Sequence, residues 1–203
     1  GTKIAYVNTL MEMCHHLPNT NVDEVMNGLK MCNKRIISDK YLSGGMGDGG
    51  GCHPRDNIAL SWLSDELGLK FNWFDNIMKQ REVQTEWLAD MIEKESNGLP
   101  ITILGKSFKP QTNITTGSPS ILLSNILRER GLAVTMYDPY IDEPFADWQD
   151  MSEYDGVPQC YFIGTKHEDF VNFPFDDESI IIDPWRYIPD KEECKVIRIG
   201  DNN

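Results

Sequence analysis

Apolar positions recur at helical spacing through residues 1–96 and at strand spacing after them. Ile4, Val7, Leu10, Met11 and Cys14 fall at three- and four-residue steps, predicting an amphipathic helix that Pro18 closes. Asn21 is placed to cap a second short helix. A third runs through Leu60, Leu63 and Leu67 and stops at Gly68. A longer fourth is predicted from about Trp73 to Glu95, with Phe74, Ile77, Met78, Arg81, Thr85, Leu88 and Ile92 on one face. That face needs cover, from a second subunit or from the chain's own core, and the pattern leaves both open.

Asn97-Gly-Leu-Pro100 interrupts the chain, and the period changes after it. Short apolar runs at Ile101–Leu104, Ala133–Tyr137, Cys160–Ile163, Ser179–Ile182 and Lys195–Ile199 read as strands. Ser118-Pro119 opens a helix between the first two, with serine as cap and proline at the first position, and Gly131 ends it. Strands alternating with a helix and long connections predict a mostly parallel, doubly wound sheet. The fold class is therefore α/β, with an all-helical part over residues 1–96 and a Rossmann-like part over 97–203.

The chain has 203 residues, 40% of them hydrophobic and 25% charged, as in an ordinary folded protein. No apolar run is long enough to span a bilayer and no signal segment opens the chain, so a soluble, cytoplasmic protein is expected. The helix at the start has no capping segment before it, which suggests a truncated chain. A net charge of −13 repels phosphate backbones and argues against nucleic acid as a partner. Twelve acidic residues and only Lys166 among the basic ones lie between Asp138 and Glu178, the pattern of a solvated acidic surface. Cys14, Cys32, Cys52, Cys160 and Cys194 are scattered and form no CxxC pair, so neither a disulfide framework nor a metal site is predicted. Most of these thiols suit a small buried apolar role.

Cys52 differs from the rest. Six of the eight residues from 44 to 51 are glycine, a density that costs backbone entropy and weakens any regular element. Close approach of backbone to a ligand compensates that cost; a flexible linker is the plainer alternative. Cys52 follows at once, where the loop meets the third helix. The free amides and dipole of a helix start favour an anionic sulfur there. Asp56 stands one helical turn further on, near enough to face the thiol or a water beside it. Residue chemistry alone leaves a nucleophile and an inert thiol both open.

Gly47-Asp-Gly-Gly-Gly-Cys-His-Pro-Arg-Asp56 resembles the cysteine signature G-x-G-G-S-C-x-P-K-D of the UDP-glucose/GDP-mannose dehydrogenase family. Further matches follow in order. Ile103-Leu-Gly-Lys-Ser-Phe-Lys-Pro-Gln-Thr112 with Ser118-Pro119 resembles the family's L-G-x-A-F-K-x-x-T…S-P, and Val134-Thr-Met-Tyr-Asp-Pro139 its V-x-x-Y-D-P. Lys34-Arg-Ile36, Thr165-Lys-His and Asp183-Pro-Trp-Arg186 are similar to its remaining landmarks. The resemblance implies oxidation of a nucleotide-sugar C6 alcohol to a carboxylate, with NAD as acceptor. It implies Cys52 as nucleophile, through a thiohemiacetal and a thioester, and Asp56 as the group that orients water. It implies substrate contacts from Arg35, Tyr41, Gly47, Gly49, Gly50, Lys109 and Arg186, on a UDP- or GDP-linked sugar. A homodimer through the helical domain, with Arg35 reaching across it, is implied as well.

The departures matter too. No G-x-G-x-x-G follows a first strand, so NAD is expected mainly on an N-terminal domain that this chain lacks, and the chain alone is expected to be inactive. Asn113-Ile-Thr-Thr-Gly117 replaces the family's acidic and arginine stretch, and Asp48 and Gly51 alter the glycine loop. The competing readings are a non-catalytic nucleotide-sugar-binding or dimerisation module, and an unrelated thiol hydrolase, for which His53 is poorly placed as base beside Cys52 and His167 has to be brought near by folding.

Overall fold

The computed structural model describes residues 17–20, 22–31, 45–47, 49–141 and 156–200. The expected first helix, Asn21, Lys34 to Ile36, Tyr41, Asp48 and six of the twelve acidic residues between Asp138 and Glu178 lie outside the described residues. Among the described residues three helices come first: α1 (Val22–Met31), α2 (Cys52–Glu66) and α3 (Trp73–Glu95). Then follow β1 (Ile101–Leu104), α4 (Pro119–Glu129), β2 (Val134–Tyr137), β3 (Cys160–Ile163), a 3-10 helix (Glu168–Asn172), β4 (Ile180–Asp183) and β5 (Lys195–Arg198). The chain divides into two compact units, Gly1–Ser43 with Arg55–Gln80, and Gly44–Pro54 with Arg81–Asn203.

In the first unit, Asn72 holds the start of α3 to α2. Its Oδ1 accepts the Asp75 N–H at 3.0 Å, a helix cap that satisfies one orphan donor. Its Nδ2 donates to Ser61 Oγ and Asp65 Oδ1, both at 2.9 Å. Gly68 takes φ +65 in the turn between them, a conformation glycine adopts without strain.

The second unit carries a sheet in the order β2-β1-β3-β4-β5 with every pair parallel. Ile101 sits opposite both Val134 and Cys160, so β1 lies between β2 and β3, and the winding reverses there. The strand alternation sorts side chains to two faces. Ile101, Ile103, Cys160, Phe162, Ile180 and Ile182 pack with Leu88, Ala89 and Ile92 of α3 and Leu123 and Leu127 of α4. Leu104, Tyr161, Ile163 and Ile181 pack with Phe170 and Ile188 on the other face. Burial on both faces explains why β1, β3 and β4 are largely apolar, with Thr102 and Asp183 the buried polar exceptions.

The C-terminal part of the α3 face, Thr85, Leu88 and Ile92, is buried within the chain. The sheet supplies the cover that the helical spacing demanded. Ser118 stands at the start of α4, but its hydroxyl makes no capping bond; Pro119 at the first position needs no partner for a donor it lacks. Neighbouring positions on α3 should therefore respond very differently to truncation. Leu88→Ala is expected to cost about 2–5 kcal/mol in urea denaturation. Exposed Val83→Ala should stay within about 0.5 kcal/mol.

Candidate functional site

The glycine-rich turn crosses the carboxyl edge of the sheet, and its lack of side chains is what allows it to lie there. A methyl group at Gly45 would run into the Trp185 ring, just past β4. Met46 packs against the core, and Gln84 Nε2 donates to Gly45 O at 2.9 Å. A methyl at Gly47 would sit 3.1 Å from Arg81 Cγ, and one at Gly49 would sit 2.9 Å from Phe108 O, just past β1. Gly50, at φ +91, presses on the Phe108 ring, and Gly117, at φ +71, lies against Gly50 O. Arg81 Nη2 donates to Gly117 O at 3.0 Å and fastens that contact to α3.

Cys52 emerges at the end of this turn as the first residue of α2, exposed and free. The other described cysteines lie elsewhere: Cys160 is buried in the sheet core and Cys194 is half-buried. Burial, with the Glu95 charge adding to it, pushes the Cys160 thiol up to about 12, so it remains an inert apolar filler. Asp56 lies one turn along α2, and its carboxylate accepts from Arg55 Nε at 3.1 Å. Lys109 is exposed next to Phe108, with Nζ 5.3 Å from that ring centroid. The structure thus brings Gly49 and Gly50 against the loop that carries Lys109, and Gly47 against Arg81 of α3. Arg186 is turned away onto its own chain: its Nη1 donates to Pro184 O at 2.6 Å and Ile199 O at 2.8 Å. Arg35 and Tyr41 lie outside the described residues.

His167, one candidate base for a thiol hydrolase, is committed elsewhere. Its Nε2 lies 3.0 Å from Ser107 Oγ and 3.2 Å from Asp138 Oδ2. Serine and aspartate share one ring nitrogen, so the imidazole cannot relay a proton between them as a hydrolase triad does. Asp138 also accepts the N–H groups of Lys106 at 2.8 Å, Ser107 at 2.9 Å and Tyr140 at 2.9 Å. Burial by itself raises the Asp138 pKa, but the bonds from His167 and these amides prevail and hold it at about 2.

The crevice at the winding reversal, where a doubly wound sheet takes a dinucleotide, is bridged by the chain itself. Thr165 Oγ1 donates to Ser107 O at 2.6 Å, and the N–H groups of Gly164 and Thr165 donate to Leu104 O at 2.8 and 3.2 Å. A methyl at Gly105 would strike Thr165, and one at Gly164 would strike Ser120, in the first turn of α4. The described residues therefore do not fit NAD at this crevice. A separate cavity of about 260 Å³ lies at the amino end of β5, lined by Phe173, Phe175, Lys191 and Cys194, with Lys191 Nζ over the Phe175 ring.

Composition hid the walls of the glycine turn. Phe108, Trp185 and Arg81 carry no signal as single residues; only the glycine count announces that something must lie close. The fold and these loops define a protein with a doubly wound nucleotide-binding-type half and a free thiol at a helix start. Family profiles agree, matching residues 1–82 as the central domain and 102–189 as the UDP binding domain of the UDP-glucose/GDP-mannose dehydrogenase family. The chain belongs to that family.

The UDP-glucose 6-dehydrogenase TuaD of Bacillus subtilis (strain 168) is 29% identical over 142 residues, 68% of this chain and 30% of its own length. A second one from the same organism, YwqF, is 30% identical over 142 residues, 68% of this chain and 32% of its own. The chain thus spans about a third of these curated relatives. A GDP-mannose dehydrogenase from Pseudomonas aeruginosa superposes with a TM-score of 0.77 at 18% identity, covering 96% of this chain and 49% of that one. A UDP-glucose dehydrogenase from Pyrobaculum islandicum gives 0.63 at 21%, covering 97% and 47%. At such identities the superpositions show the fold alone.

The depressed Asp138 pKa carries a pH signature. A carboxyl with a lowered folded-state pKa stabilises the fold above its unfolded value, near 3.8, and that stability is lost as pH falls through about 2. Urea denaturation from about pH 4 to about pH 2 should show a loss smaller by about 2 kcal/mol in Asp138→Asn than in the wild type.

Proposed function

We propose that this chain is the substrate-handling part of an NAD-dependent nucleotide-sugar 6-dehydrogenase, working as a cytoplasmic homodimer through its helical domain. The division into a helical part over 1–96 and a nucleotide-sugar part over 97–203 belongs to the same reading. The observation that carries it is the free, exposed Cys52 at the end of the glycine turn, in a chain whose two family segments follow in order.

Cys52 is the nucleophile in this reading. Its sulfur adds to the C6 aldehyde of the sugar, and the aldehyde oxygen takes a proton, giving a thiohemiacetal. Oxidation of that adduct leaves a thioester, which water oriented by Asp56 cleaves to carboxylate and free thiol. One hydride leaves as the alcohol becomes the aldehyde and a second as the adduct becomes the thioester, each to its own NAD, the acceptor the family implies; the crevice at the winding reversal does not fit it, and its site is placed outside the described residues. Gly47, Gly49 and Gly50 leave backbone where the sugar and phosphates approach. Lys109 pairs with the diphosphate, with Arg35 and Tyr41 completing the contact. Arg186 joins them by exchanging its two carbonyl bonds for charge-assisted ones. On a chain of net charge −13, this local positive charge is what a diphosphate requires. The bridged crevice favours a second reading for the chain on its own, a nucleotide-sugar-binding module without turnover.

Calorimetric titration with UDP-glucose and GDP-mannose separates these outcomes. One of the two should bind, Lys109→Ala should weaken it about tenfold, and Cys52→Ser should leave it within about twofold. NADH formation from the chain with NAD and substrate should be nil. Binding of neither sugar nucleotide sinks the proposal, and NADH formation by the chain alone would overturn the placement of NAD outside the described residues.

A further inference from the structure

The loop from Lys106 to Gln111 presents Phe108 to the glycine turn and Lys109 to solvent, and its inner side is tied to one buried histidine. Gln111 N–H donates to His167 Nδ1 at 3.3 Å, so Nδ1 is an acceptor and the ring proton sits on Nε2. Nε2–H then faces two acceptors, Ser107 Oγ at 3.0 Å and Asp138 Oδ2 at 3.2 Å. The Ser107 hydroxyl spends its own proton on Lys109 O at 3.0 Å, which leaves its oxygen able to accept. Every donor in the group has an acceptor, and Ser107, Asp138 and His167 are all at most 1% exposed. A buried polar network satisfied in this way specifies one arrangement of its loop. The ring itself is held by Tyr140, stacked at 4.8 Å, by the edge of Phe170 at 5.4 Å, and by Tyr187 Oη, which donates to His167 O at 2.8 Å.

We infer that His167, through Nε2–H, is a positioning residue that presets the Phe108–Lys109 loop for a nucleoside diphosphate. The inference rests on the reading of Lys109 above. A loop ordered before the ligand arrives loses less conformational entropy on binding, and so binds more tightly. His167 touches neither ligand nor reacting atoms; it acts through Ser107 and Asp138 from beneath the loop.

Glutamine and asparagine divide the work of the two ring nitrogens. Glutamine places a donor near Nε2, asparagine an acceptor near Nδ1, and phenylalanine supplies neither. Affinity by calorimetry for uridine or guanosine diphosphate, whichever the wild type binds, should fall about tenfold in His167→Phe and His167→Asn, and His167→Gln should restore it to within about threefold. Amide hydrogen exchange of Lys106, Ser107 and Gln111 should speed up in His167→Phe, with Ile103 and Phe162 in the sheet as the control for folding. In the wild type, the two-bond nitrogen–proton spectrum should show the Nε2–H tautomer. An Nδ1–H tautomer, or unchanged exchange and affinity in His167→Phe, would overturn the positioning role while leaving Lys109 as a ligand. A wild type that binds neither uridine nor guanosine diphosphate overturns the Lys109 reading and the ligand half of this inference. Loop exchange in His167→Phe then decides the positioning half by itself.

Discussion

Two buried carboxylates at the carboxyl edge of the sheet are the constraint on which the surrounding loops depend. Asp138, just past β2, accepts three backbone N–H groups and the His167 ring. Asp183, at the end of β4, accepts four: Trp185 and Arg186 on Oδ1 at 2.8 and 2.9 Å, Tyr187 and Ile188 on Oδ2 at 2.7 and 2.8 Å. A buried carboxylate must be met by donors or it costs several kcal/mol. Here the donors are the loop amides themselves, so satisfying the charge and shaping the loop are one event. Arg186, whose amide is one of the four, takes φ +57.

Those fixed loops are in turn the walls against which the glycine turn is laid. Trp185 stands there because Asp183 holds its amide, and Phe108 because Asp138 and His167 hold its neighbours. Between such walls only bare backbone fits, and a side chain at Gly49 or Gly117 would push the turn off the sheet edge. The thiol at the start of α2 thereby inherits its position from carboxylates that never approach it. Steric closeness, rather than flexibility, is the use this chain makes of its glycines.

The same packing separates this half from a dinucleotide-binding one. The fold has the winding reversal that usually marks a ligand crevice. Gly105, Gly164 and Thr165 close it with direct backbone contacts. What remains open is the outer surface of the β1 loop, with Lys109 exposed on a chain that is otherwise strongly acidic. What separates this sheet from a dinucleotide-binding one therefore lies in the loops after the strands, and the strands themselves carry no trace of it.

Much of this was legible in the residues alone. The change of period at Asn97 marks where helices give way to strands, because side-chain alternation in a sheet and the 3.6-residue turn of a helix are local properties of the backbone. The boundaries of α3, α4 and the five strands follow from that, from proline and from glycine. The glycine run before Cys52 signalled special backbone at a place where the structure has it, with Gly50 at φ +91. Other features had no local signal. That the sheet covers Leu88 and Ile92 depends on which surface folds back onto α3. That Phe108 and Trp185 flank the glycines, that Arg186 bonds to its own carbonyls, and that Ser107, Asp138 and His167 meet at one nitrogen depends on residues far apart in sequence. Neighbours along the chain set the described elements and the reactive residue types, so these are readable segment by segment. Which of those residues touch depends on strand order across a parallel sheet, and strand order leaves no mark on any one segment.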